Sequence, residues 1–220
     1  GLYQLYRLRE SGFRVAILER GTGVGGTWYW NRYPGARFDS ESYSYAYSFS
    51  DELLQEWNWS EHFASQPEIL RYLQHVADKF DLLKDIHFSS EVAMASFDES
   101  RSCWVIKLDN GSTFTSRLFV TAVGVLSEPT YPNIEGIDVF RGDYFHTARW
   151  PKSPVQLAGK DVAVVGTGAS GVQTIQEIAP VVKNLTVFQR RPNWCAPLNN
   201  APIKPDEMQK IKDDYEDMFI

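Results

Sequence analysis

Cysteine is nearly missing from this chain. There are two in 220 residues, Cys103 and Cys195, too few for a disulfide framework or a cysteine-built zinc site. Histidine numbers only four, and His62 and His87 have no partner at metal-ligand spacing. An excess of basic charge is missing as well. Twenty-two Lys and Arg against 28 Asp and Glu give a net charge of −6, and no basic stripe offers itself to nucleic acid. No run approaches the ~18 apolar residues of a membrane span, and no signal-peptide pattern heads the sequence. Together these absences predict a cytoplasmic setting. An initiator methionine is also lacking. Gly1-Leu2-Tyr3 opens directly on a helical pattern, which predicts a piece of a longer protein, inactive alone, whose first strand lies upstream.

Aromatics are what the chain has in plenty, at 14%, with many between residues 28 and 63. Hydrophobic content of 43% and charged content of 23% are those of a globular protein with length for one large domain or two small ones. Leu2, Leu5, Tyr6 and Leu8 have helical spacing up to Gly12. Phe13 to Leu18 then reads as a buried parallel strand, closed by Glu19. Helix, turn, strand and acid make the second half of a βαβ dinucleotide unit. In that unit Gly1 takes the place of the third glycine, and Glu19 accepts the hydroxyls of an adenosine ribose.

The stretch Gly21 to Asp39, GTGVGGTWYWNRYPGARFD, has no regular period and reads as a functional loop. Its glycines allow a ligand close to the backbone, and its aromatics would pack on the ligand's faces. Residues 51–63 read as irregular packed loop. Pro67 opens a helix with Ile69, Leu70, Leu73, Val76, Ala77 and Phe80 on its apolar face. Asp109-Asn110-Gly111 is a hairpin turn between Trp104–Leu108 and Phe114–Phe119. Leu118 to Gly124 reads as another buried strand.

A second unit follows. Asp161 to Val165 is a buried-strand pattern, and Gly166-Thr167-Gly168-Ala169-Ser170-Gly171 comes at once, ahead of helical Val172, Ile175 and Ile178. A GxGxxG between strand and helix holds a pyrophosphate at the helix N-terminus. Leu185 to Phe188 is the next strand, with Gln189, Arg190 and Arg191 at its end. Gly1 to Glu19 and Gly171 to Gln189 share one spacing, so the two halves repeat a single dinucleotide unit. They differ at the ribose position. Glu19 would repel a 2′-phosphate, whereas neutral Gln189 beside Arg190 would accept one. Asp206 to Phe219 reads as a polar helix.

Between the halves lies Phe140-Arg141-Gly142-Asp143-Tyr144-Phe145-His146-Thr147-Ala148-Arg149-Trp150-Pro151. It resembles the FxGxxxHxxxWP fingerprint of Baeyer–Villiger monooxygenases of the phenylacetone and cyclohexanone monooxygenase type, with Phe140, Gly142, His146, Trp150 and Pro151 all matching. The stretch from Gly25 to Asp39 is similar to the GGTWYWNRYPGARxD segment of the same family.

The resemblance implies an α/β flavoprotein of the glutathione-reductase type. It would have two Rossmann-like units, both incomplete, and the first would carry an inserted antiparallel β-meander. The implied domains are an FAD domain over 1–130, a linker over 131–155 and an NADPH domain over 156–220. Gly26, Thr27, Trp28, Tyr29, Trp30, Asp39 and Tyr45 would line the flavin. Arg37, Phe38 and Asp39 would meet the nicotinamide, and Val92 would offer backbone to the adenine. Gly166 to Val172, with Gln189 and Arg190, would hold NADPH.

The implied reaction uses FAD, NADPH and O2 to convert a ketone into an ester or lactone, through a peroxide at flavin C4a. Asp39 would act electrostatically at the catalytic position. His146 would serve the cycle as an interdomain hinge rather than as a proton carrier. Two other readings stay open: an N-hydroxylating flavin monooxygenase, from which Trp150 points away, and an NADPH-dependent flavin or disulfide reductase. A disulfide reductase would want a close cysteine pair, and Cys103 and Cys195 offer none.

Overall fold

The computed structural model describes residues 1–218. Among these the chain forms two compact units, one of residues 1–29 and 73–127, the other of residues 30–72 and 128 onward.

The first unit begins with α1 (Leu2–Glu10). Leu2 and Leu5 are its buried side, and Tyr6 meets the Phe80 ring edge-on at 4.9 Å. The Arg9 guanidinium donates to the Asp81 carbonyl at 2.7 Å. β1 (Ile17–Leu18) pairs in parallel with β2 (Ile86–His87), in the register Ile17 to Ile86 and Leu18 to His87. The strand expected over Phe13–Leu18 is therefore shorter. Only two residues of a partner run beside it, and Phe13 is 45% exposed.

β3 (Val92–Asp98), β4 (Cys103–Leu108) and β5 (Thr113–Ser116) form a separate antiparallel sheet in that order. Gly111 makes its second turn with φ +85°. The buried strand expected at Leu118–Gly124 is not formed. This segment pairs with no strand among the described residues, and Leu118, Val120 and Val123 are exposed. An extended run needs a neighbour to take its N–H and C=O groups, and no strand among the described residues lies alongside.

α2 (Thr27–Trp30) ends the first unit's opening stretch, and in the second unit α3 (Asp51–Glu56) follows with Ser50 as N-cap. α3 falls where an irregular loop was expected; Leu53 and Leu54 bury its one apolar side. α4 (Gln66–Lys79) starts one residue before the predicted Pro67, and its residues from 73 on belong to the first unit. Its residues Ile69 and Tyr72 join Trp57 and Trp59 in an aromatic core, with Tyr72 5.0 Å from Trp59 and 5.2 Å from Trp57.

β6 (Asp161–Val165), α5 (Ala169–Ile178) and β7 (Asn184–Phe188) follow as the sequence predicts, with β6 and β7 parallel. β6 is not buried, however. Val162 and Val164 are half-covered while Ala163 and Val165 lie open, because a two-stranded sheet followed by one helix covers one face only. α6 (Pro205–Asp213) and α7 (Tyr215–Met218) replace the single polar helix expected at 206–219, whose last residue lies outside the described ones. They are not polar throughout: Met208, Ile211 and Tyr215 enter the core.

Burial raises the hydroxyl pKa of Tyr33, Tyr47, Tyr72 and Tyr215 above the ordinary value of 10, to about 12 for Tyr215. The fold holds these phenols neutral, so their contribution is complete below pH 10. It is lost as pH rises through the folded values, because the unfolded chain gives up those protons first. Stability should therefore fall steadily between pH 10 and 12, and Tyr215→Phe should flatten that slope. Urea titrations across this range check it; a slope unchanged in the variant would contradict it.

Candidate functional site

The glycine loop after β6 is built for close packing. Gly166 turns the chain at φ +101° and donates to the Phe188 carbonyl at 2.9 Å. A Cβ on Gly171 would stand 2.5 Å from the Gly166 carbonyl oxygen, a backbone atom that cannot swing aside. Above Gly168 a Cβ would meet nothing within 4 Å. The loop thus presents open space at the α5 N-terminus, where N–H groups without helical partners favour an anion. The strand end closes on it: the Gln189 side-chain amide donates to the Thr167 hydroxyl at 2.9 Å. Arg190 is exposed beside it. Ala169 is exposed, and Ser170 and Val172 are half-buried.

The turn from Tyr33 to Arg37 lies on the first turns of α5. The Tyr33 hydroxyl donates to the Gln173 side-chain carbonyl at 2.7 Å and shares a hydrogen bond with Ser170 of the glycine loop. The Gln173 amide donates back to the Arg37 carbonyl at 2.8 Å. Gly35 has φ +78°, and a Cβ there would lie 2.6 Å from the Gln173 carbonyl oxygen. Burial is the main cause of the raised Tyr33 pKa. The Ser170 hydrogen bond opposes it, and the Asp39 carboxylate adds to it.

Past the turn, Phe38 is buried and stacks on Tyr45, centroids 4.3 Å apart and planes 19° from parallel. Asp39 is exposed. Arg37 points its charge elsewhere. It pairs with Glu61 at 3.1 Å and donates to the Phe63 carbonyl. Asn200 donates to the same Glu61 carboxylate and accepts from the Phe63 N–H. A cavity of about 310 Å³ opens beside Arg37, Gln173, Glu177 and Asn200.

In the first unit, Glu19 follows β1, and its carboxylate accepts from the Gly21 N–H at 2.6 Å. A Cβ on Gly1 would touch Ile17 at an ordinary 3.8 Å. The glycines at 21 and 23 were read as room for a ligand. Here they make room for Tyr29, whose ring stands 2.9 Å from a Cβ on Gly21 and 3.3 Å from one on Gly23. Its hydroxyl accepts from the Thr22 N–H at 3.0 Å. Gly26 has φ +51°, Thr27 is exposed, Trp28 is buried and Trp30 half-buried. Val92 opens β3 and is 37% exposed.

The central fingerprint has a local logic. A Cβ on Gly142 would sit 2.7 Å from the Phe140 ring, so the glycine leaves space for the ring to fold back. His146 Nδ1 accepts from the Ala148 N–H at 3.1 Å, and its ring lies 5.1 Å from that of Tyr131. Trp150 packs against Phe145. Arg149 lies over the Trp30 ring at 5.4 Å and pairs with Glu128 at 3.2 Å. Both cysteines are free.

Tyr33, Glu61, Gln173 and Asn200 were not singled out from sequence. Gln173 is a polar helix residue and the other three lie outside the helices, so none carries a periodic signal, and their partners lie up to 140 positions away.

The profile of the pyridine nucleotide-disulphide oxidoreductase family matches residues 1–218. The chain is 47% identical over 212 residues to an acetone monooxygenase (methyl acetate-forming) of Gordonia sp. strain TY-5, covering 96% of this chain and 40% of that protein. It is 42% identical over 220 residues to the phenazine N-monooxygenase PhzNO1 of Lysobacter antibioticus, covering all of this chain and 40% of that one. A solved structure of an oxidized steroid monooxygenase bound to NADP superposes with a TM-score of 0.93 at 49% identity, covering 99% of this chain and 42% of that one. The chain thus spans about two fifths of the length of such relatives.

Proposed function

From a chain that belongs to the pyridine nucleotide-disulphide oxidoreductase family, we propose a part of an NADPH-dependent flavin monooxygenase that converts ketones to esters or lactones with O2. The observation that carries the nucleotide half of this reading is the Gly166–Gly171 loop. Its last glycine is required by packing and its middle glycine faces open space, which suits a pyrophosphate there. The ester-forming chemistry is argued from the 47% identity with a methyl acetate-forming enzyme, together with the complete FxGxxxHxxxWP fingerprint.

On this reading the chain holds two dinucleotide units of Rossmann type, the first interrupted by the β3–β5 sheet. The domains run over 1–130 and 156–220, with a linker over 131–155. Glu19, Gly1 and the Gly26–Trp30 segment hold FAD, with Tyr45 and Val92 on its periphery. Gly166 to Val172, Gln189 and Arg190 hold NADPH. Bound flavin supplies oxygen activation once NADPH has reduced it. The protein's own part is placement and exclusion of water.

Asp39 contributes a fixed negative charge at the nicotinamide-facing end of its loop, and Phe38, stacked on Tyr45, keeps that end from collapsing. Arg37 is committed to Glu61 and serves the loop's shape. His146 caps the short 3-10 turn at Thr147–Arg149, a mechanical role between the two nucleotide sites. The N-oxygenating reading is favoured by the 42% identity with the phenazine enzyme. Product analysis of the complete enzyme, given a ketone or an aromatic N-heterocycle with NADPH and O2, separates the two: an ester supports the first reading and an N-oxide the second.

Cofactor preference gives a second test. A 2′-phosphate carries close to two charges and needs fixed cations to replace its water. Arg190 offers a planar fork to it. Arg190→Ala should raise the KM for NADPH roughly 10- to 150-fold, the loss of one charge-assisted hydrogen bond, and leave NADH nearly unaffected. Equal loss on both nucleotides would remove Arg190 from the phosphate site.

A further inference from the structure

We propose that Gln173 is a positioning residue that makes the placement of Asp39 depend on what the glycine loop holds; the inference rests on the reading of Gly166–Gly171 as the NADPH loop. Gln173 lies two residues beyond Gly171, in the first turns of α5. Three of its polar atoms are spent on one five-residue turn. The side-chain carbonyl accepts from Tyr33 at 2.7 Å and from the Arg37 N–H at 3.4 Å. The side-chain amide donates to the Arg37 carbonyl at 2.8 Å. Its backbone carbonyl occupies the space a Cβ of Gly35 would need. Ser170, inside the glycine loop, reaches the same Tyr33 hydroxyl. Two residues past Arg37 stands Asp39.

The chemistry of the side chain fits this task closely. The turn presents a donor hydroxyl, a donor N–H and an acceptor carbonyl. A primary amide answers both polarities from one planar group. A carboxylate would face the Arg37 carbonyl with no proton to give, and leucine would answer neither. Gly35 matters for a related reason, since its missing side chain lets the turn close to contact with α5. A displacement of the α5 N-terminus on binding an anion is thereby carried to the turn by two side-chain hydrogen bonds, a shared hydroxyl and a backbone contact. It reaches Asp39 by way of buried Tyr33 and Phe38.

The test uses the complete flavoenzyme with Gln173→Leu and Tyr33→Phe, singly and together. Amide hydrogen exchange should quicken about tenfold at Arg37 and its neighbours in Gln173→Leu, as loss of a pair of neutral hydrogen bonds predicts. Unchanged rates would overturn the positioning role, whatever the enzyme's reaction proves to be. The flavin absorbance change on titration with NADP+ should shrink at least about twofold, while the Kd for NADP+ stays within about threefold. A full-sized change at normal Kd would overturn the coupling. In turnover, kcat for ester should drop and hydrogen peroxide should replace it, with the KM for NADPH little moved. A role in stability alone would lower the melting temperature and leave the ester-to-peroxide ratio untouched. The double variant should lose less than the sum of the two single losses, since both changes cut the Tyr33–Gln173 hydrogen bond; fully additive losses would count against it. A wild-type enzyme that makes no ester would remove the proposed reaction, and the exchange result would still decide the role of Gln173.

Discussion

Alanine at Gly171 is expected to cost the second unit about 3 kcal/mol of stability, the upper end of the overpacking range, whereas alanine at Gly168 is expected to cost it only its ligand. The added carbon at 171 would stand 2.5 Å from the Gly166 carbonyl oxygen and 3.2 Å from its carbon. Both are backbone, at the turn where β6 ends, so relief requires moving helix or strand. Gly168 differs. Its φ of −70° and ψ of 177° are open to any residue, and nothing stands within 4 Å of the new carbon. The new methyl group would instead occupy the space where a pyrophosphate meets the backbone. Urea unfolding and NADP+ titration of both variants separate the two effects. We expect Gly168→Ala to melt as the parent does and to bind NADP+ at least about tenfold more weakly. Normal binding by Gly168→Ala would show that no phosphate approaches there.

Trp59→Ala should destabilise the second unit by about 3–5 kcal/mol, the usual range for emptying a buried indole site. Trp59 is 2% exposed. Its ring lies 5.0 Å from Tyr72, 5.9 Å from Trp57 and 6.4 Å from Phe38, and it hydrogen-bonds Tyr215. Trp59→Phe keeps much of that volume and should recover part of the loss. Because Phe38 rests on both Trp59 and Tyr45, the alanine variant should also loosen the approach to Asp39. Denaturation midpoints measure the first effect. A loss below about 1 kcal/mol would mean that the aromatic cluster closes over the gap.

The parts legible in the sequence were those whose cause is local. β6, the glycine loop, α5 and β7 stand where strand, GxGxxG, helical spacing and strand were read. Pro67 marks the head of α4, and Asp109-Asn110-Gly111 marks the β4–β5 turn. What failed was burial. Val165 and Val123 have strand-like neighbours in sequence, yet their exposure depends on which faces are covered, and composition does not record that. The glycines at 21 and 23 show a similar limit. A glycine signals that something comes close, and here it is the Tyr29 ring. Gln173 was invisible because its importance lies in a pairing 136 positions long.

That long pairing has a bearing on how the protein is made. The second unit is assembled from two stretches of chain, 30–72 and 128 onward, with β2 to β5 of the first unit encoded between them. Gln55 and Lys212 exchange hydrogen bonds across 157 positions. At ~5–20 residues per second, a ribosome would leave Gln55 waiting roughly 8–30 s for its partner. Throughout that time Trp57, Trp59 and Tyr72 can cluster among themselves, but the glycine loop and α6 that complete the unit have yet to emerge. The nascent chain therefore carries an aromatic half-core while the intervening residues are made. Exposed apolar surface of that kind is what chaperones bind and where aggregation starts.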